Sequence, residues 1–338
     1  MKLIVREANP RREFNPLLQF FRDCLAADCD ENRLAWLYFA NPHGTARVWV
    51  LEDSHGLVGA GAAIPKKLRI LGDPAAGCVF GDFCVSPSYR SIGPALQLQR
   101  ACMQSVDSGW ARLAYDLPSA SMMAVYRRLG IAGSTSLVRM AKPIRVDRQV
   151  QDRLRPRTLA KLVCGVGNVL LKARDRAKAA NRDLEIQLHD QACTREFDDL
   201  FDRTMPKTGS WCVERSSAYL NWRFREHFKE RYSIWTARRK NKLEAYAITQ
   251  KRDHDVQVTD LFGTGSAGIL EILLLHVVES ARAEKAMILS LPVLSGHPWQ
   301  ERLEAIGFYR RESNPIVIYG TESATNSAAW LTAGDRDS

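Results

Sequence analysis

Landmarks in the first half of this chain return in the second half at one nearly constant offset. Val48-Trp49-Val50 and Ile234-Trp235-Thr236 each open an apolar strand, 186 residues apart, and Gly56-Leu57-Val58-Gly59-Ala60 answers at that same offset to Lys242-Leu243-Glu244-Ala245-Tyr246. Trp36-Leu37-Tyr38-Phe39 answers to Tyr219-Leu220-Asn221-Trp222 with the offset shorter by three, Gly81-Asp82-Phe83 to Thr259-Asp260-Leu261 at 178, and Leu129-Gly130-Ile131 to Ile306-Gly307-Phe308 at 177. Solenoid repeats run to about 20–50 residues, so a period this long points instead to two globular copies of one fold. The copies are expected at 1–145 and 186–325, with a linker at 146–185 and a flexible tail at 326–338.

One junction in the first copy is built for an anion. Val79 to Val85 reads as a buried strand, Ser86-Pro87-Ser88-Tyr89-Arg90-Ser91 as a tight loop, and Ile92-Gly93-Pro94-Ala95 as the first turn of a helix. Amides in a helix's first turn have no partner inside the helix, and the dipole end there is positive. Pro94 fits that turn because its missing N–H would be unused.

Arg90-x-x-Gly93-x-Ala95 matches the acyl-CoA signature R/Q-x-x-G-x-G/A of the GNAT acyltransferases, preceded by strand-Val-x-Pro as in that family. Ala124-Val125-Tyr126-Arg127-Arg128-Leu129-Gly130-Ile131 is similar to the family's second segment, A-x-x-Y-x-x-x-G-F. Two positions depart from the pattern: Ser119 stands where many members carry a cofactor-contacting asparagine, and Ile131 replaces a phenylalanine. The chain thus resembles a tandem GNAT protein, which implies an α/β (α+β) fold of two domains, each a twisted mixed sheet flanked by helices.

The resemblance implies acyl transfer from acetyl-CoA, or another acyl-CoA, to an amine. Phe83 and Val85 would offer a strand edge to the pantetheine amides, Arg90, Ser91, Ile92, Gly93 and Ala95 would cradle the pyrophosphate, and Ser119 would lie beside the cofactor. A strand amide would face the thioester oxygen, where negative charge grows. Tyr126 would protonate the departing thiolate. An alkylammonium has a pKa near about 10, so a base is needed as well. Asp82 is expected to be that base, with Asp116 the second candidate or a substrate contact; a paired or turn-forming acid competes with each. Asn221 and Arg223, in the aromatic run Tyr219 to Phe224, are expected to line an acceptor pocket. That run is similar to segments of GNAT-like proteins of surface-polysaccharide synthesis, which implies an amino-sugar acceptor.

The second copy has no Arg-x-x-Gly-x-Ala. Its strand runs into Gly263-Thr264-Gly265-Ser266-Ala267-Gly268, literally G-x-G-x-x-G, yet the next strand, Met287 to Pro292, lacks the acid that would hold a ribose. A glycine-rich turn is therefore expected there, with a residual phosphate site as the alternative. The segment from Val150 to Arg182 carries nine Lys or Arg against two Asp, with Leu159, Leu162, Val163, Val166, Val169, Leu170 and Ala173 at helical spacing. This basic amphipathic helix packs on the domains or touches an anionic membrane surface through 156–176.

The formal net charge of +10 has no nucleic-acid motif to accompany it, so no DNA partner is expected. Eight cysteines without C-x-x-C pairing and seven scattered histidines indicate buried thiols in a reducing cytoplasm and no metal site. Two other readings stand beside the acyltransferase: a Fem-type transferase using aminoacyl-tRNA, and a non-catalytic binding protein of the same fold.

Overall fold

The computed structural model describes residues 3–25, 29–147, 164, 167–169, 171–173, 175, 183–205, 210–264, 268–320 and 328–336. The first half runs β1 (Ile4–Ala8), α1 (Phe14–Cys24), α2 (Glu31–Tyr38), β2 (Arg47–Asp53), β3 (Gly56–Ile70), β4 (Asp73–Val85), α3 (Ile92–Asp107), β5 (Leu113–Asp116), α4 (Ala120–Arg128) and β6 (Thr135–Pro143). The second half repeats that order: β7 (Glu185–Leu188), α5 (Arg195–Thr204), an inserted β8 (Ser210–Val213), α6 (Ser217–Leu220) continued by a π-helical turn (Asn221–Arg225), β9 (Ser233–Arg239), β10 (Lys242–Arg252), β11 (Asp255–Gly263), α7 (Ile269–Ala283), β12 (Ile288–Leu294), α8 (Trp299–Ala305) and β13 (Tyr309–Gly320). Strand β14 (Ala328–Trp330) and a short 3₁₀ turn (Ala333–Asp335) close the chain. Side-chain caps start two of the first half's helices: the Asp30 carboxylate accepts from Arg33 N at 2.7 Å to start α2, and the Ser119 hydroxyl from Met122 N at 3.2 Å to start α4.

The two copies do not close separately. Among the described residues the main sheet runs β1-β2-β3-β4-β5-β13-β6-β12-β11-β10-β9-β7, so each half's final strand is exchanged into the other. β13 lies antiparallel to β5 from Val317↔Asp116 to Gly320↔Leu113, and β6 lies along β12 from Ile288↔Pro143 to Leu294↔Leu137. The division at 145 and 186 marks two copies in sequence but not two independent sheets. β6 and β13 fill equivalent slots, and their local pattern is the same whichever partner they take.

A local two-fold relation shows where the halves meet. The Trp36 and Trp222 rings stack with centroids 4.6 Å apart, Trp36 Nε1 donates to Trp222 O at 3.0 Å, and Trp222 Nε1 donates to Trp36 O at 3.1 Å. The pair is separated by 186 residues, the main repeat offset. This corrects the alignment of Trp36 with Tyr219: the structural counterpart of Trp36 is Trp222, with no change of offset. One apolar core crosses the junction, containing Phe21, Leu37 and Val50 from the first half and Phe201, Trp211 and Phe262 from the second.

The tail is not flexible over its described part. Leu331, Thr332 and Asp335 are buried; Asp335 accepts from Arg215 Nη2 at 2.7 Å and from Thr332 N at 2.8 Å, and its carbonyl takes the Tyr115 hydroxyl at 2.6 Å. Most of the basic linker, and with it the proposed contact through 156–176, lies outside the described residues. Where it is described, Asp175 is buried between Lys142 Nζ at 2.8 Å and Arg282 Nη2 at 2.7 Å. No helix among the described residues is long and apolar enough to cross a membrane.

Trp36→Ala and Trp222→Ala are each expected to cost about 3–5 kcal/mol, with a coupling of about 0.5–1.5 kcal/mol in the double mutant, measured by urea unfolding. Additive effects would show that the rings do not support each other. Acid sensitivity follows from three histidines held neutral. Burial, with Lys66 next, lowers the His43 pKa to about 2; burial, then Arg223, lowers His227 to about 4; burial, then Arg302, lowers His297 to about 4. Below about pH 6.5 the unfolded chain takes up protons that the folded chain refuses, so stability falls as pH drops. His43 alone contributes a slope of up to about 1.4 kcal/mol per pH unit, and His43→Gln should flatten the stability profile between pH 4 and 6.5.

Candidate active site

The site begins where two strands part. β4 pairs with β5 only from Gly77↔Leu113 to Val79↔Tyr115, while on its other edge it follows β3 as far as Val85. A β-bulge interrupts that second pairing, with Ala60 opposite Cys84 but Ala62 opposite Gly81, and Asp82 takes a left-handed φ of 48° there. The edge from Phe80 to Val85 therefore faces a gap, and the gap is a cavity of about 820 Å³. Its walls come from the Phe80–Val85 edge, the Arg90–Ile92 loop and the start of α4, with Cys24, Asn314 and Arg336 added from elsewhere.

One end of the cavity is a helix start with nothing capping it. Ser91 precedes α3 in an extended conformation and makes no side-chain cap, and the first turn holds no acidic residue. The amides of Ile92 and Gly93 are first-turn amides without an intrahelical acceptor. Arg90 Nε donates to Val85 O at 3.3 Å, which folds the guanidinium back along the loop. A Cβ placed on Gly93 would meet nothing within 4 Å, so the turn is open. These features fit a pyrophosphate, and the free edge at Phe83 and Val85 fits an amide-bearing arm. Of the expected cofactor-binding residues, Phe83, Val85, Arg90, Ser91, Ile92, Ala95 and Ser119 border this one cavity, whereas Gly93 lies one step along α3 and is not part of its lining.

The acid–base candidates are arranged differently from the sequence expectation. Tyr126 is fully buried and does not border the cavity; its hydroxyl donates to Asp116 Oδ2 at 2.7 Å and accepts from Gln99 Nε2 at 3.1 Å. Burial, then the Asp116 charge, pushes its pKa well above the ordinary tyrosine value. Its proton is committed to a carboxylate, so the group on the cavity wall is Asp116. Asp82 borders the cavity, but Arg33 grips its carboxylate at 2.6 and 3.0 Å and the Tyr38 hydroxyl donates to it at 2.9 Å. Burial works against the charge on Arg33, and Asp82 more than restores it, leaving the Arg33 pKa raised. Both oxygens of Asp82 are thus already engaged by Arg33 and Tyr38. No local pattern marks Arg33, Tyr38 or Gln99, since each reaches its partner across the fold.

Asn221 and Arg223 do not line the cavity. Asn221 clamps the backbone of Cys193, accepting from its N–H at 2.8 Å and donating to its carbonyl at 2.9 Å. Arg223 is buried, donates to Gly334 O at 2.9 Å and lies over the Trp36 ring at 5.3 Å. Both fix the junction and the tail, which corrects their assignment to an acceptor pocket.

The second copy repeats the parting of strands but fills the gap. β11 pairs with β12 only from Asp255↔Ile288 to Gln257↔Ser290. Against the freed stretch sits Trp330, 5.1 Å from the Phe262 ring and 4.8 Å from Trp299. Asp260, the counterpart of Asp82, accepts from Tyr246 at 2.9 Å, Thr332 at 2.8 Å and Arg215 at 3.3 Å. In the glycine-rich turn, a Cβ on Gly263 would come 2.4 Å from that of Ala245, and Gly268 starts α7 at φ 87°; Gly265, Ser266 and Ala267 lie outside the described residues. Glu271, paired with Arg302, occupies the first turn of α7, a charge that disfavours a phosphate. Gly263 is thus required by close packing against Ala245.

Asp82→Asn is expected to lower stability by about 3–5 kcal/mol by stripping a mostly buried Arg33 of its carboxylate, read from the urea midpoint; a loss under 1 kcal/mol would show the pair to be dispensable.

Comparison with known proteins agrees with this geometry. The family described as acetyltransferase (GNAT) domain matches residues 5–132. Solved structures match nearly the whole chain: a conserved Enterococcus faecalis protein of unknown function, described as a probable N-acyltransferase (TM-score 0.69, 11% identity, covering 96% of this chain and 74% of that one), a GCN5-related N-acetyltransferase from Anabaena variabilis (0.67, 13%, 94% and 73%) and Eis1 from Mycobacterium abscessus (0.57, 15%, 94% and 73%). No curated protein matches. Residues 5–132 fall within the parted-strand module, so that module matches the acetyltransferase (GNAT) domain family, and the chain as a whole shares the fold of these solved structures.

Proposed function

We propose that the first module is an N-acyltransferase that moves an acyl group, acetyl in the simplest case, from acyl-CoA to an amine. The observation that carries this reading is the cavity between β4 and β5, one end of which is the uncapped start of α3. The free strand edge and the open first-turn amides favour CoA over a tRNA-borne donor, which needs no pyrophosphate cradle.

Acyl-CoA supplies the activated thioester. The amides of Ile92 and Gly93, with the Arg90 guanidinium beside them, hold its pyrophosphate, and the Phe83–Val85 edge aligns its arm. A main-chain N–H of that edge faces the thioester oxygen and stabilises the charge that develops on it. Asp116 takes the proton that the acceptor ammonium must lose before nitrogen can bond to the acyl carbon; as that bond forms the thioester C–S bond breaks, and the CoA thiolate leaves with the second proton that the nitrogen sheds. Tyr126, acting through its hydrogen bond to Asp116, sets the orientation of that carboxylate. The tail occupying the second cleft leaves the second module a scaffold that completes the first.

Acetyl-CoA should raise the melting temperature, and Gly93→Trp should abolish that rise without unfolding the protein, because the added ring projects into open space. No rise in the wild type would remove this function. Asp116→Asn should lower kcat by about 10²–10⁴-fold, and Tyr126→Phe by less, since its hydroxyl acts through another group. The reverse ranking would return the proton-donor role to Tyr126.

A further inference from the structure

The cavity draws its wall from both faces of the sheet. Strand β5 sends Ala114 towards Phe80, Leu98 and Cys102 beneath α3, while the next residue, Tyr115, packs with Ala62 and Val79 on the side of α1 and α2. The wall includes Met122 and Val125 from the α3–α4 side, and Cys24, Leu25, Ala62 and Val79 from the other. The cofactor cradle belongs to the start of α3. The tail lies on the opposite face: Asp335 O accepts from the Tyr115 hydroxyl at 2.6 Å, and Arg336 follows it onto the cavity wall.

The backbone that carries Arg336 is fixed, yet its side chain is unpaired. Gly334 O accepts from Arg223 Nε at 2.9 Å, and the Asp335 carboxylate accepts from Arg215 Nη2 at 2.7 Å and from Thr332 N at 2.8 Å. The Arg336 side chain is exposed and makes no hydrogen bond or ion pair among the described residues. The same holds for Asn314, an exposed residue of β13 that is also on the cavity wall. The acids of the wall are engaged elsewhere, Asp82 by Arg33 and Asp116 by Tyr126. A preorganised cation thus stands at the cavity without an anion.

We propose that Arg336 and Asn314 bind a carboxylate on the acceptor, which makes the acceptor a molecule bearing both an amine and a carboxylate, as an amino acid does. The inference rests on the acyltransferase reading of the cavity. A guanidinium presents a planar fork of N–H donors that matches a carboxylate with two parallel bonds, and the Asn314 amide adds an NH₂ group. Among the described residues the cavity wall holds two arginines, Arg90 at the cradle and Arg336 on the tail side, and no lysine. One guanidinium and one neutral amide balance a monoanion, whereas a phosphate dianion would leave a charge unmatched. An alkylamine without an anionic group would leave both side chains unused. The carboxylate takes no part in bond making, so Arg336 selects the acceptor and leaves the cofactor's affinity alone.

The test is a binding titration at matched ionic strength with sodium pentanoate as probe, pentan-1-ol as the uncharged control and pentyl phosphate as the dianionic one, with and without saturating CoA. The wild type should bind pentanoate more tightly than either control. Arg336→Gln should weaken pentanoate by about fivefold, the weight of an ion pair open to solvent, leave pentan-1-ol unchanged and keep the CoA-dependent rise in melting temperature. Arg336→Lys, which keeps the charge and loses the fork, should fall between the two, and it serves as the second variant if Arg336→Gln proves unstable. Equal binding of pentanoate and pentan-1-ol by the wild type, or full pentanoate affinity in both variants, would overturn the proposal. Tighter binding of pentyl phosphate than of pentanoate would overturn the choice of a carboxylate. A variant that loses CoA affinity and keeps that for pentanoate would overturn it as well, since Arg336 would then serve the cofactor. Absence of CoA binding by the wild type would refute the acyl-CoA reading instead, and the titration without CoA would still decide the carboxylate site.

Discussion

Strand β5 is four residues long, and the site depends on how it is held. On one side it meets β4 over three residue pairs before the strands part; on the other it is covered by β13 over four. β13 belongs to the second half of the sequence. Without it, β5 would be a short edge strand with one row of backbone groups unpaired, a poor wall for a cleft. The exchange of β6 and β13 therefore does more than join two copies. It makes the geometry of one module's cavity a property of the whole chain.

The copies share a design and differ in what occupies it. Each places an aspartate on the strand that diverges, Asp82 and Asp260, and each gives that aspartate an arginine and a tyrosine, Arg33 and Tyr38 in one, Arg215 and Tyr246 in the other. A buried carboxylate requires such partners, because desolvation would otherwise force it neutral. Around Asp82 the gap stays open. Around Asp260 the chain's own tail supplies Thr332 and, through Arg215, Asp335, and Trp330 fills the space beside Phe262. One cleft became a cavity and its twin became core.

The tail then crosses to the first module. Asp335 is locked on Arg215 and on the Tyr115 hydroxyl of β5, and the next residue, Arg336, borders the cavity. The cavity thus draws on α1, the β4–β5 split, α3, α4, β13 and the tail. Stability and site geometry rest on the same buried contacts, and Arg223 and Asn221 make such contacts away from the cavity.

Local chemistry wrote much of this protein plainly. The repeat of strand and helix patterns determined two copies of one fold, and Arg90-x-x-Gly93-x-Ala95 with Pro94 determined an open helix start, because caps, glycines and periodicity act within a few residues of themselves. The tertiary structure decided what no local pattern encodes. It chose which final strand closes which sheet, since β6 and β13 suit either slot. It paired Asp82 with Arg33 across 49 residues and turned the Tyr126 proton towards Asp116, so that Asp116 and not Tyr126 forms the wall. It also drew the tail into the second cleft, where burial of Leu331 and Asp335 outweighs the freedom that a polar C-terminal segment would otherwise keep. Those outcomes depend on partners far apart in sequence, and their energies exist only once the chain has brought them together.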